Sequence, residues 1–264
     1  MIGLLVIGVL LQCGFSQAQC ENPCYNGGTC IGTKCVCTDG WYGTKCHRPC
    51  QDVFKSCERW KEEGRCEWDD QTKYFDDHCP HTCNNCVYDN KTTVAYPLAP
   101  ILEPLQPFIG LWKGESTTAD HFPVDFLSGG YDEEIRFMVT DLPAFDRPSL
   151  NFSSKAVSKL DPNDVQYDFG FMYIRPGKNV TIVGLMASGN SGIIYVQEGE
   201  LAGSGVRFVT TYNASLPYAR LSQSHVESTR QIEVIGDNLS ITVINQQQSY
   251  VKFYRRTQEE APKV

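Results

Sequence analysis

The stretch VRFVTTYN, residues 206–213, alternates bulky apolar side chains with polar ones, as a β-strand with one buried face does. In this interpretation Val206, Phe208 and Tyr212 share one face of the strand. The opposite face carries Asn213, which begins the N-glycosylation sequon Asn-Ala-Ser, and a glycan has to project into solvent. The stretch therefore predicts a strand whose apolar side chains face the interior and whose sequon faces out.

Runs of the same kind recur through residues 108–264 and are separated by Gly, Pro, Asn and Asp. Asn151 and Asn238 also begin sequons, and they fall on the polar phase of their runs. About ten strands of this kind predict a mainly β domain, a ten-stranded antiparallel β-barrel with an interior cavity. Such a cavity favours a lipophilic small molecule as the ligand. The sequons of the whole chain predict N-glycosylation at Asn90, Asn151, Asn179, Asn213 and Asn238.

Charge and composition narrow the classes of function. The chain of 264 residues has 31 acidic and 23 basic side chains, which gives a net charge of -8. Because nucleic acid binding depends on clustered Lys and Arg, nucleic acid is not an expected partner. Hydrophobic residues make up 41% of the chain, a fraction that predicts a folded core rather than a disordered protein.

The cysteines indicate an oxidising compartment. All 13 of them lie within the first 86 residues, and the first, Cys13, comes just after an apolar run at residues 1–11. This run is shorter than the roughly 20 residues that cross a bilayer, but it suits a signal peptide. We predict a signal peptide over residues 1–18, secretion to the extracellular space and no membrane span. Cleavage removes Cys13 and leaves an even number of cysteines, as a closed disulfide set requires.

Residues 20–46 have the cysteine spacing C-x3-C-x5-C-x4-C-x-C-x8-C, with glycines at the expected turns. This pattern resembles an EGF-like domain. The residue before the first cysteine is Gln19, where calcium-binding members carry acidic residues, so no calcium is expected. Such a domain either contacts an extracellular partner or serves as a spacer, and the residues favour the spacer. The resemblance implies the disulfides Cys20–Cys30, Cys24–Cys35 and Cys37–Cys46.

Residues 50–86 have a different spacing, C-x6-C-x8-C-x12-C-x3-C-x2-C, which resembles the ShK toxin-like domain, a small helical module. In a secreted protein this spacing favours structural disulfides over a metal site. The resemblance implies the disulfides Cys50–Cys86, Cys57–Cys79 and Cys66–Cys83.

A Lys-Tyr pair in this module matches the dyad of channel-blocking members, and it consists of Lys73 and Tyr74. The resemblance implies that such a Lys would plug a cation pore. Residues 50–86 contain nine acidic and five basic side chains, and a pore mouth that attracts cations repels such a surface. Channel block is therefore the weaker interpretation of the dyad.

Residues 87–107 are predicted to form a stiff linker, because four prolines punctuate them.

Several motifs follow one another in order through residues 108–264, and together they resemble the nitrobindin-type barrel, particularly a branch found in nematodes. The resemblance implies a ten-stranded barrel that holds ferric haem through a His on its last strand and acts on nitric oxide or peroxynitrite. The motifs are Gly110-x-Trp112-x-Gly114-Glu115, Phe122-Pro123, Tyr131-x-Glu133-Glu134-Ile135-x-Phe137, Gly170-Phe171-x-x-x-Arg175-Pro176, Gln197-Glu198-Gly199 and Gly236-Asp237-x-Leu239.

The haem ligand of that family has no counterpart at its own position. The matching residue is Ser249 or Gln248, and Ser249 is in phase with Val251 and Phe253 and is therefore expected to face inward. A neutral hydroxyl is a poor ligand for haem iron. His121 and His225 are the remaining candidates for an iron ligand in residues 108–264.

The sequence as a whole predicts a secreted protein whose barrel binds a lipophilic molecule, such as a fatty acid or a tetrapyrrole. No catalytic constellation is recognised, since Glu133 and Glu134 alternate faces on one strand and cannot act together. Two alternatives stay open. One is a haem protein that acts on nitric oxide or peroxynitrite through His121 or His225. The other is an extracellular scaffold whose EGF-like or ShK-like module binds a protein partner.

Overall fold

A computed structural model describes residues 20, 23–68, 73–117, 130–140, 147–217, 229–244 and 249–257. The predicted signal peptide lies outside these residues. In this part of the chain, helices with the length and apolar character needed to span a bilayer are not found. The chain forms two compact units, one made of Met1–Cys50 with Asn84–Thr93 and the other of Gln51–Cys83 with Val94–Val264.

The first unit contains two small antiparallel sheets. Its strands are β1 (Thr29–Ile31), β2 (Lys34–Val36), β3 (Trp41–Tyr42) and β4 (Arg48–Pro49), with β1 paired to β2 and β3 to β4. A unit of this size buries little apolar surface, so its cross-links have to supply much of its stability. The structure joins the cysteines in the pairs that the sequence resemblances imply, namely Cys20–Cys30, Cys24–Cys35, Cys37–Cys46 and Cys50–Cys86.

The second unit begins with a short helical region held by the remaining two disulfides, Cys57–Cys79 and Cys66–Cys83. Its helices are α1 (Cys57–Glu62), a 3₁₀ turn (Arg65–Glu67) and α2 (Tyr74–His78). Aromatic side chains fill the space between them, and Trp60 meets Phe54 and Phe75 edge to face.

The rest of the second unit is a closed antiparallel barrel, so the predicted fold class is confirmed. Every strand pairs with its neighbours in sequence, and the last strand closes the barrel on the first. The strands are β5 (Gly110–Thr117), β6 (Tyr131–Val139), β7 (Leu150–Ser158), β8 (Val165–Pro176), β9 (Thr181–Gly189), β10 (Ile193–Ala202), β11 (Gly205–Ser215), β12 (Thr229–Ile235), β13 (Asn238–Ile244) and β14 (Ser249–Arg256).

A 3₁₀ helix, Pro100–Phe108, precedes β5 and packs into the barrel core. Leu102, Leu105 and Phe108 are almost fully buried, and Trp112 Nε1 donates a hydrogen bond of 2.8 Å to the carbonyl oxygen of Phe108. The sequence prediction places most of this helix in a linker. The structure differs because apolar residues three apart share one face of a 3₁₀ helix, and burial of that face fixes the segment. We call this end of the barrel the helix end.

The opposite end of the barrel, where β6, β8, β10, β12 and β14 begin, is called the loop end.

Two predicted iron ligands fall between strands in the sequence, His121 between β5 and β6 and His225 between β11 and β12. Both histidines lie outside the described residues.

One strand departs from its predicted phase. In β11, Val206 and Phe208 are buried as expected, but Tyr212 is 58% exposed. The pairing of β10 with β11 shifts between Val196 and Gln197, and this β-bulge reverses the faces beyond it. Asn213 consequently pairs in register with Tyr195, whose side chain is buried. Two predictions are therefore wrong: that Tyr212 shares the inner face with Val206 and Phe208, and that Asn213 belongs to the outer face of the strand.

The sequon asparagines are nevertheless all exposed. Asn213 is exposed near the end of its strand, and Asn151 and Asn238 are exposed beside the buried Leu150 and Leu239, as their predicted phases require. Asn90 and Asn179 are exposed as well. Solvent therefore reaches each of the five predicted glycosylation positions.

Candidate functional site

The last strand faces the interior with residues of the opposite phase from the one predicted. Lys252 and Tyr254 are almost fully buried, whereas Phe253 is 46% exposed and Ser249 is exposed. The predicted inward orientation of Ser249 is therefore wrong. The apolar character of Val251 and Phe253 suggests an inner face, but the buried Lys252 has an acidic partner inside the barrel and so occupies that face instead.

That partner is Glu133 on β6. Lys252 Nζ donates to Glu133 Oε2 at 2.5 Å, and the hydroxyl of Tyr254 donates to the same oxygen at 2.8 Å. Burial lowers the pKa of Lys252 to about 8, although the Glu133 carboxylate acts in the opposite direction. Burial also raises the pKa of Tyr254, and Glu133 adds to this effect. Glu133 thus receives two hydrogen bonds from β14.

A second polar group lies on β10, β11 and β12. Arg230 Nη2 donates to Gln197 Oε1 at 2.5 Å, and Gln197 Nε2 donates to Thr210 Oγ1 at 3.1 Å. Arg230 is 6% exposed, and its Nε atom is buried with no hydrogen-bond partner among the residues that the structure describes. The rings of Tyr195 and Phe208 each lie 5.9 Å from its Cζ atom.

A third polar group lies on β7 and β8. Asp168 is 7% exposed and accepts a hydrogen bond of 3.3 Å from Ser154 Oγ at its Oδ2 atom. Its Oδ1 atom is buried, and no described residue forms a hydrogen bond with it. Burial raises the pKa of Asp168, and the positive charge of Arg230 opposes this rise.

These groups form one interior cluster, because the charges of Arg230 and Glu133 influence the titration of the other members. We call it the polar layer. Its members are Glu133, Asp168, Gln197, Arg230, Lys252 and Tyr254. The side chains toward the helix end are apolar, including Trp112, Phe137, Leu150, Met172 and Leu239. The interior of the barrel is therefore amphipathic.

A pocket connects the polar layer with the protein surface. The described pairing of β5 with β6 runs from Gly110–Phe137 to Lys113–Glu134. Beyond it lies a pocket of about 210 Å³, which we call the side pocket. Its lining includes Gly114, Gly130, Tyr131, Glu133, Lys252 and Tyr254. Glu133 and Lys252 therefore line a pocket that opens to the protein surface.

The two glutamates singled out from the sequence have different surroundings. Glu133 faces Lys252 with 10% of its side chain exposed, whereas Glu134 pairs with Lys113 at 3.6 Å and is 44% exposed. The dyad residues also differ, since Lys73 is exposed and the ring of Tyr74 stacks on His78 with ring centres 4.2 Å apart. Stacking leaves Tyr74 only partly exposed.

The described residues of the barrel do not supply the histidine that a His-ligated haem requires. The histidines among them are His47, His78 and His81, and none belongs to a barrel strand. Ser249, which matches the family position of the ligand, is exposed. The buried oxygen of Tyr254 is bonded to Glu133. The described part of the barrel therefore offers no imidazole to a haem.

Family comparison agrees with the fold of the second unit. The model of the THAP4-like, heme-binding beta-barrel domain matches residues 101–258, which is more than half of the chain. The chain belongs to this family of barrels. The ShK domain-like model matches residues 49–86, so a ShK-like domain precedes the barrel.

The curated relatives support the same assignment. "Peroxynitrite isomerase THAP4" of Bos taurus is 29% identical over 148 residues, which are 55% of this chain and 24% of the relative. The protein of the same name from Homo sapiens is 26% identical over 128 residues, 48% of this chain and 20% of the relative. The chain thus spans no more than about a quarter of these relatives. A third relative, "Putative protein tag-53" of Caenorhabditis elegans, is 52% identical over 31 residues, 12% of this chain and 2% of the relative.

Two solved structures are similar to this chain at low sequence identity. Rv2717c from M. tuberculosis is 20% identical and covers 61% of this chain and 99% of its own, with a TM-score of 0.44. Fatty-acid-binding protein 1 of Echinococcus granulosus is 15% identical and covers 58% of this chain and 98% of its own, with a TM-score of 0.27.

The polar layer has a signal in the sequence that the predicted site residues do not include. Arg230 is in phase with Ile232 and Val234, so a charged residue occupies the apolar face of a predicted strand. Lys252 likewise shares the phase of Tyr254. A charged residue on the buried phase of a barrel strand indicates an interior polar site.

Proposed function

We propose that the barrel binds a lipophilic small molecule with a polar end, such as a fatty acid or a tetrapyrrole, and that it does so without catalysis. The observation that supports this proposal is the amphipathic interior, with apolar side chains toward the helix end and the polar layer beside the side pocket. Small-molecule sites of this kind combine a mostly apolar lining with a few polar groups that orient the ligand.

Titration with a neutral lipophilic fluorophore tests this function. The probe N-phenyl-1-naphthylamine should gain fluorescence on adding the full-length protein and lose it again on adding oleate. Absence of any fluorescence gain, together with failure of oleate to bind in calorimetry, would show that the barrel is a scaffold.

A blocked side pocket provides the matched variant. Gly114 pairs with the inward Tyr254, and a Cβ atom there would approach other atoms no closer than 3.4 Å. Gly114→Trp should therefore fill the pocket and lower probe affinity. Gly205→Trp is the control, since its Cβ atom also has 3.4 Å of space but lies at the helix end of the barrel. Equal loss of probe affinity in both variants would show that the probe does not bind through the side pocket.

We further propose that the protein is secreted, with a signal peptide at residues 1–18, an EGF-like spacer at 20–46 and glycans on the five sequons. Six disulfides and a ShK-like domain are consistent with an extracellular protein. Expression of the full chain in a eukaryotic host should release a protein that begins at Gln19 and loses mass on treatment with an N-glycosidase. An N-terminus at Met1 in the cell pellet would contradict secretion.

A second candidate function follows from the family. The family model describes heme-binding barrels, and two of the curated relatives are named peroxynitrite isomerases. Haem titration distinguishes this function, because a His-ligated haem should give a Soret band that is lost in His121→Ala or His225→Ala. The exposed Ser249 favours a weak spectrum that neither variant changes.

A further inference from the structure

Arg230 is a buried cation that forms no ion pair with a carboxylate in the part of the chain that the structure describes. It is the second residue of β12, at the loop end of the barrel, and only 6% of it is exposed. The guanidinium donates to the neutral amide oxygen of Gln197 and lies beside two aromatic rings. Among the described residues no carboxylate forms an ion pair with it, and its Nε atom has no acceptor.

The positive charge of the Arg230 guanidinium is buried, and no described carboxylate forms an ion pair to balance it. Arginine does not lose its proton in proteins, so burial cannot be relieved by neutralisation as it can for lysine. Buried charges are ordinarily paired, and an uncompensated one destabilises the fold. The nearby rings and one amide oxygen compensate only part of the cost of burying this charge.

Lys252 is also a buried cation, but it differs from Arg230 because a carboxylate balances its charge. Lys252 contacts the Glu133 carboxylate at 2.5 Å, and both side chains are almost completely buried. The two cations therefore differ in what they can still bind: the Lys252 charge is balanced by its neighbour, whereas Arg230 can accept an anion.

A second incompletely bonded atom belongs to the same cluster. Asp168 Oδ1 is buried without a hydrogen-bond partner among the described residues, and the charge of Arg230 acts on this carboxyl group. Of these two atoms, Arg230 Nε is the donor that suits an oxygen of a ligand carboxylate, whereas Asp168 Oδ1 is an acceptor.

We infer that Arg230 anchors the carboxylate of a lipophilic ligand whose apolar part packs in the barrel. This inference rests on the proposed ligand-binding function and adds the chemical class: long-chain or polycyclic carboxylic acids, in preference to their esters and alcohols. Fatty acids and tetrapyrroles both carry the carboxylate, and Arg–carboxylate contacts are among the stronger hydrogen bonds in proteins.

Comparison of acids with their methyl esters tests the anchor in the full-length, disulfide-bonded protein. Calorimetry with oleate and methyl oleate, and fluorescence titration with protoporphyrin IX and its dimethyl ester, separate the two sources of the carboxylate. At least one acid should bind about tenfold to a hundredfold more tightly than its ester, as a charge-assisted hydrogen bond gives. Equal affinity of acid and ester in both pairs would overturn the inference.

The variant Arg230→Gln should abolish the preference for the acid and leave ester binding within about threefold, since the apolar packing is retained. Arg207→Gln is the matched control, because Arg207 is an exposed residue of the neighbouring strand β11. Retention of the acid preference in Arg230→Gln would overturn the anchor. Arg230→Lys provides a second variant if the first does not fold, and it should keep part of the preference.

The failure of the inference is distinguishable from failure of the proposed function. If the wild-type protein binds the esters and the neutral fluorophore as well as it binds the acids, the barrel binds lipophilic molecules but Arg230 is not the anchor. If it binds neither acids, esters nor the fluorophore, the proposed function itself is wrong and the inference falls with it.

Discussion

Glu133 and Lys252 place two opposite charges inside the barrel, and each charge is stabilised there by the other. Their contact is 2.5 Å long, with 3% of the Lys252 side chain and 10% of the Glu133 side chain exposed. A buried pair of this kind contributes little net stability, but removing one partner leaves the other uncompensated. The exposed pair of Lys113 and Glu134, on the neighbouring strands β5 and β6, lacks this dependence.

Glu133→Gln should therefore lower the free energy of unfolding at neutral pH by about 3–5 kcal/mol, because Lys252 must then either stay charged without a carboxylate or lose its proton in the barrel. Glu134→Gln should change it by less than about 1 kcal/mol, since solvent screens an exposed pair. Urea denaturation of both variants measures the difference. A loss in Glu133→Gln no larger than that in Glu134→Gln would contradict the buried contact.

The stability of the fold should also depend on pH through Lys252. Because burial lowers its folded-state pKa to about 8 from 10.5, the unfolded chain binds more protons than the native protein between these values. The Lys252 contribution to the unfolding free energy should therefore rise as pH increases from 8 to about 10. Above this window the raised pKa of Tyr254 acts in the opposite direction.

Denaturation at pH 8 and at pH 10 checks this dependence. The wild-type protein and Lys113→Met should share the rise, whereas Lys252→Met combined with Glu133→Gln should lack it. A rise of equal size in that double variant would assign it to other groups.

At this scale the sequence could predict the buried phase of a strand but not its charged members. Arg230 and Lys252 occupy apolar phases that are visible in the sequence. Hydropathy assigns such residues to solvent, and only the partner across the barrel reverses that assignment. Glu133 is more than a hundred residues from Lys252 in the chain, so the pairing depends on the closed barrel.

The 3₁₀ helix shows how an element can be fixed by its ends as well as by its apolar face. Arg256 on β14 donates to the carbonyl oxygens of Pro107, at 2.8 Å, and of Ile109. Its guanidinium also lies 4.3 Å from the Trp112 ring. These contacts satisfy carbonyl groups at the end of the helix that otherwise lack donors.

Arg256→Ala should lower the free energy of unfolding by about 2–3 kcal/mol, because it removes charge-assisted hydrogen bonds and a cation–π contact together. Arg255→Ala should leave it almost unchanged, since Arg255 forms an exposed pair with Glu115 that solvent screens. Thermal unfolding of the two neighbouring variants gives the comparison. Equal effects would contradict the role of Arg256 in holding the helix.

Elements were predicted well where they depend on their own sequence. The alternation at residues 150–152 and 238–243 gave the buried faces of β7 and β13. The end of β11 was not predictable in this way, because its bulge results from the pairing with β10. The prolines of the 3₁₀ helix predict a linker, whereas the spacing of three between Leu102 and Leu105 matches the buried face that the structure shows.

For the whole molecule, the repetition of one pattern made the fold predictable. Ten alternating runs with no sustained helical period leave a closed antiparallel barrel as the main solution, since closure removes exposed strand edges. The ligand is less predictable, because it depends on a few interior side chains from distant strands. In this chain these are the polar layer, and the described barrel has no histidine in a comparable position.

Native mass spectrometry of the full-length protein, with equimolar oleate and ferric haem present together, tests the central claim most directly. We predict a one-to-one complex with oleate or with haem that dissociates on collisional activation. A protein that stays free of both ligands would contradict an interior built for a lipophilic carboxylate.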